Sequence, residues 1–176
     1  SEMCIRDRYY LKNGRTNIAL YEAQKMLKEA QEEDDKTGLS RCYNIMSQIY
    51  TVKRLDSMAF EWQLKEIELT EKYDLENYNI SQTYSQISSY YINTNQPEKA
   101  LEALKKADAT AYSPTQKISV QLEYVNYYSK FGDMQAAEKI LNECKTAFDQ
   151  DKRLWSIKKR LYNIAVSYTH LRAHEN

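Results

Sequence analysis

The sequence predicts an all-α fold of tandem antiparallel helix hairpins, and three observations point there. Gly (3) and Pro (2) are too scarce in 176 residues for the many tight turns of an all-β protein. Charged residues form 28% of the chain and are spread evenly among apolar ones, as on amphipathic helices. A tyrosine also recurs at Tyr10, Tyr50, Tyr91 and Tyr128, and each is followed nine residues later by an alanine: Ala19, Ala59, Ala100 and Ala137. The intervals are 40, 41 and 37 residues, the length of one helix pair per period.

Taken in order, the first pair is anchored by Tyr10 and Ala19. The acidic run Glu32-Glu33-Asp34-Asp35 before Thr37-Gly38 reads as a solvated helix end and a turn, because no second ligand cluster accompanies it to make a metal site. Tyr43, Met46, Ser47 and Tyr50 then share one face of a helix, and Asp56-Ser57 are expected to cap the helix after Leu55. Gln63 and Glu66 stand where that helix should be apolar, so it is expected to pack in a shifted register on Phe60, Trp62 and Ile67.

The third pair is the most regular. Tyr84, Ile87, Ser88 and Tyr91 form its first helix, Asn95-Gln96-Pro97-Glu98 its turn, and Ala100, Leu104 and Ala107 a small, large, small series on its second. The fourth pair opens on Ser113-Pro114-Thr115-Gln116, which combines an N-cap serine, proline at the first helical position and a glutamine able to close a capping box. Gln121, Tyr124, Val125 and Tyr128 follow, Gly132 supplies a residue tolerant of positive φ, and Asp133 caps a helix from Met134 to about Phe148 through Ala137, Leu141 and Cys144. A last helix over 154–165 is the first half of a fifth pair. Without a following helix, its Trp155, Ile157, Leu161 and Ile164 are expected to be partly exposed and to offer a surface for self-association.

Tyr84-x2-Ile87-Ser88-x2-Tyr91, Tyr43-x2-Met46-Ser47-x2-Tyr50 and Gln121-x2-Tyr124-Val125-x2-Tyr128 are degraded forms of W-x2-L-G-x2-Y, the signature of tetratricopeptide repeats. On these motifs the chain resembles that family over nearly all of residues 9–165. Its period exceeds the usual length of about 34, as in the extended repeats of many bacterial regulatory proteins. The resemblance implies an α-solenoid, with hairpins stacked in a right-handed superhelix because each leaves an apolar face for the next to cover. It implies a protein- or peptide-binding scaffold, the regulatory or sensory part of a larger bacterial signalling protein. The alternative is a glycan-binding helical repeat protein of the outer-membrane type, which would expose its Tyr and Trp rings.

The two ends are complementary at the nucleotide level. Residues 1–7, SEMCIRD, can be written TCG GAG ATG TGT ATA AGA GAC, and the reverse complement translates as VSYTHLR, which is Val166 to Arg172. The string resembles a translated adapter of shotgun sequencing libraries, so residues 1–8 and 166–176 are read as non-native tails and the natural protein is expected to continue at both ends. His170, His174 and Cys4 fall in these tails, and residues 9–165 contain no histidine.

That composition argues against Ser-His and Cys-His catalysis and histidine metal sites, so no enzyme, catalytic residue, metal or cofactor is expected. Lys+Arg (25) balance Asp+Glu (25), which removes the phosphate-binding term of a nucleic-acid groove. No apolar run approaches the roughly 18 residues of a membrane span, so no membrane segment is expected in this fragment; the compartment, cytoplasm or periplasm, stays open. Cys144 reads as a buried small hydrophobe, and the paired tyrosines as core rather than ligand platforms.

In stacked hairpins the first helices line the concave face. Projecting the sides away from the core tyrosines gives Arg41, Asn44, Gln48 and Thr51, then Gln82, Ser85, Ser89 and Ile92, then Leu122, Asn126 and Ser129. Amides and hydroxyls dominate, which suits hydrogen bonding to an extended peptide.

Overall fold

The computed structural model describes residues 15–151, 154 and 157–175; the anchor Tyr10 and the core candidate Trp155 lie outside them. Among the described residues there are eight α-helices and no strand: α1 (Thr16–Glu32), α2 (Lys36–Val52), α3 (Asp56–Tyr73), α4 (Ile80–Asn93), α5 (Pro97–Thr110), α6 (Pro114–Phe131), α7 (Met134–Gln150) and α8 (Lys158–Glu175). They fall into two compact units, Ser1–Tyr78 and Asn79–Asn176.

In the first unit α2 packs against both α1 and α3. Ala19, Ala23, Met46 and Ile49 form its core, with Leu20, Ile45, Tyr50 and Trp62 around them. The alanine anchors let helices approach closely, while the bulky Tyr50 fills the remaining gap at half burial. The shifted register expected for α3 does not occur. Ala59, Gln63, Glu66, Ile67 and Thr70 are its buried residues, so the two polar side chains occupy the apolar stripe itself. The Glu66 carboxylate is tolerated there because it is paired: it accepts from Asn44 Nδ2 at 3.1 and 3.3 Å and from Asn77 Nδ2 at 2.8 Å, and nearby Thr70 meets Ser40 at 3.3 Å.

In the second unit α4 and α5 make the tightest pair, small residues facing small residues. Ser81 Oγ donates to the Ala107 carbonyl at 2.7 Å and Ser88 Oγ to that of Ala100 at 2.9 Å. Helix α6 packs on α4, α5, α7 and α8. Leu122, Val125, Ala137, Leu141, Cys144, Leu161, Ile164 and Tyr168 join in one core. Leu161 and Ile164 are therefore buried, correcting their expected exposure: the apolar side of α8 lies on α6 and α7, and it is Tyr162 and Val166 that face solvent. Helix α8 also runs on through 166–175, where Tyr168 is buried.

The turns repeat with the tyrosines. Four residues after Tyr50, Tyr91 and Tyr128 stand Arg54 (φ 60°), Asn95 (φ 60°) and Gly132 (φ 97°), all left-handed. The carbonyl of each tyrosine accepts the amide five residues on, from Leu55 (2.9 Å), Gln96 (2.9 Å) and Asp133 (3.0 Å), the closure that ends a helix on a left-handed residue. The Ser113–Gln116 capping box and the Asp133 cap, which accepts from Ala136 N at 3.0 Å, form as expected. Asp56 does not cap: Leu55 holds that position and Asp56 lies in the first turn, where its charge favours the positive helix end. Gly38 is likewise within α2, not in a turn; Asp35 caps that helix by accepting from Gly38 N at 2.9 Å.

Candidate functional site

Helices α4, α6 and α8, the first helices of three successive pairs, lie side by side and line a half-open recess of about 360 Å³. Ser89, Ile92 and Asn93 line it from α4, Glu123, Asn126, Ser129 and Lys130 from α6, and Ile164, Ser167, Tyr168 and Leu171 from α8. The α6 residues recur every three or four positions, the spacing of one helix face.

Glu123 is the unusual member. It is 3% exposed; Arg160 of α8 donates to its Oε2 at 2.5 Å, while its Oε1 is buried with no hydrogen-bond partner. The hydroxyl of Ser129 is also buried and unpartnered, as is that of Ser85, one turn before Ser89. An orphan buried acceptor is destabilising unless something fills it, so such groups mark where a ligand can gain. Tyr168 closes one end: burial, then the neighbouring Glu138, pushes its phenol above the ordinary value, and its hydroxyl lies 3.5 Å from the Met134 carbonyl. Burial likewise pushes the Cys144 thiol up to about 11, as befits a core residue rather than a nucleophile.

The structure brings together Ser89, Ile92, Asn126 and Ser129 of the residues singled out in the sequence. Arg41 and Gln82 are exposed and Ser85 is buried. Asn44 donates to Glu66 across the α2–α3 interface, and Gln48 Nε2 donates to Asn44 Oδ1 at 2.6 Å within α2. Leu122 is fully buried in the core instead of facing the groove. Sequence projection missed Glu123, Asn93, Lys130 and the α8 wall. Only the three-residue step from Glu123 to Asn126 hinted at the first.

Neither family models nor curated proteins give a match to the chain. Among solved structures, BtubC (BKLC) from P. vanneervenii superposes with a TM-score of 0.74 at 15% identity, covering 97% of this chain and 74% of that one. A Podosopora anserina protein described as a putative kinesin light chain with nearly identical TPR-like repeats gives 0.67 at 13% identity, covering 99% and 95%. A variant of that protein with one substitution gives 0.68 at 13%, covering 99% and 94%. The fold is that of TPR-like repeats. In TPR-like terms α2, α4, α6 and α8 are first helices, α3, α5 and α7 second helices, and the cavity lies on the first-helix face of the second unit. No helix among the described residues is long and apolar enough to cross a membrane.

Proposed function

We propose that this chain is a protein- or peptide-binding scaffold rather than a catalyst, and that the cavity between α4, α6 and α8 receives an extended segment of its partner. The observation that carries this reading is the pairing of hydrogen-bonding groups on Ser89, Asn93, Asn126 and Ser129 with apolar surface on Ile92 and Ile164 in one recess, all within residues 9–165. That combination serves a peptide, which presents main-chain polar groups and side chains together. The glycan-binding alternative has less support, because Tyr50, Tyr91 and Tyr128 are half-buried and the exposed Tyr21, Tyr73, Tyr78, Tyr112 and Tyr162 do not line the recess.

Peptides selected from a displayed random library against the whole chain test this directly. Asn126→Trp, which fills the recess, is expected to weaken their binding at least about tenfold, whereas Glu68→Trp on the exposed side of α3 leaves it unchanged. Equal binding by both variants would move the site elsewhere. We further propose that the scaffold is the regulatory or sensory part of a larger bacterial signalling protein, on the strength of the extended repeat period. Sequencing outward from the codons of residues 9–165 checks this: a flanking kinase or DNA-binding domain is the expected result, and flanks that repeat SEMCIRDR and VSYTHLRAHEN contradict it.

A further inference from the structure

We infer that Glu123 is the specificity-determining residue of the α4–α6–α8 recess, and that it selects a peptide side chain carrying an uncharged N–H donor, the carboxamide of Gln or Asn. This rests on the recess being the peptide site proposed above. The carboxylate is 3% exposed, it lines the recess, and one of its oxygens has no partner. A carboxylate so placed is a strong acceptor waiting for a donor.

Charge decides which donor fits. Arg160 already compensates Glu123 through Oε2, and Lys130 adds a second cation at the exposed rim. Bringing in Lys or Arg would leave two cations around one buried carboxylate, with Lys130 beside them, and desolvation would oppose it. An acidic side chain would face Glu123 itself. A purely apolar one would offer Oε1 no donor. A carboxamide satisfies Oε1 without adding charge, and its own oxygen can accept from the amide of Asn126 or the unpartnered hydroxyl of Ser129. Because Oε1 is itself buried, a slender side chain suits it better than a main-chain N–H. Ile92 and Ile164 then pack against its methylenes and the adjoining residue.

The test uses four pools of end-blocked nonapeptides with randomised flanks, whose central residue is Gln/Asn, Lys/Arg, Leu/Ile or Asp/Glu. Binding to the whole chain is read by fluorescence polarisation. The Gln/Asn pool is expected to bind roughly tenfold tighter than the other three. Glu123→Met should abolish that preference, and Arg160→Met, which strips the carboxylate of its compensating charge, should turn the preference toward Lys/Arg. Selectivity in the unaltered chain needs no variant to fold, and circular dichroism melts identify a variant that does not. Equal binding of all pools, or a preference for Lys/Arg by the unaltered chain, overturns the inference while leaving the peptide site standing. If no pool binds, or if Asn126→Trp leaves every pool bound as before, the peptide-site reading falls and this inference with it.

Discussion

Glu66 shows how much a single side chain can carry here. It is 1% exposed and accepts from the amides of Asn44 and Asn77, so removing the carboxylate takes an acceptor from two part-buried donors and leaves a void. Glu66→Ala is expected to destabilise the protein by about 3 kcal/mol and Glu66→Gln by about 1 kcal/mol less than that, measured by urea unfolding. A cost under about 1 kcal/mol for Glu66→Ala would mean the network adds little beyond packing. The sequence displays Glu66 and Gln63 as departures from the apolar pattern. It does not display the partners of Glu66, because Asn44 and Asn77 reach it across 22 and 11 residues. Nor does it distinguish an engaged amide from a solvated one, which is why projection alone puts Asn44 and Gln48 in the groove.

At the scale of the element, the repeated turn after each tyrosine is the feature that divides first from second helices. Gly132 adopts φ 97° with no atom within 4 Å of where a Cβ would stand, so Gly132→Ala tests backbone conformation alone. It should destabilise by about 1 kcal/mol, and Arg54→Gly, which relieves the same left-handed strain two repeats earlier, should stabilise by a comparable ~1 kcal/mol or slightly less. Denaturant midpoints of the two variants moving in the same direction would contradict this. Gly132 is legible as a helix stop; Arg54 and Asn95 are less so, because neither residue type by itself announces a left-handed turn. The caps divide similarly: Ser113 and Asp133 sit at capping positions and bond there, whereas Asp56 falls one residue too late.

For the whole molecule, the decisive segment is the end of α8. Tyr168 belongs to the second unit's core with Leu122, Val125, Ala137, Leu141, Cys144, Leu161 and Ile164, yet it lies in the stretch that the reverse complement of one possible back-translation of residues 1–7 encodes. Tyr168→Ala is expected to cost about 3 kcal/mol and to lower the melting temperature measured by circular dichroism. Removal of residues 166–176 should cost at least as much, since it also opens one wall of the recess formed by Ser167, Tyr168 and Leu171. No loss of stability on either change would show that the second unit's core is complete without them.

Periodic features were within reach of the sequence by itself: the all-helical class, the helix pairs, the buried alanines and the best caps all follow from local composition and from spacings along one helix. The tertiary structure alone decided which polar residues are engaged and which face the recess. A rotation of one residue turns a helix by about 100°, enough to exchange Leu122 for Glu123 at the groove, and only the packing of α6 against α4 and α8 determines that angle. The burial of Leu161 and Ile164 has the same origin, because an apolar stripe does not state which neighbouring helix will cover it.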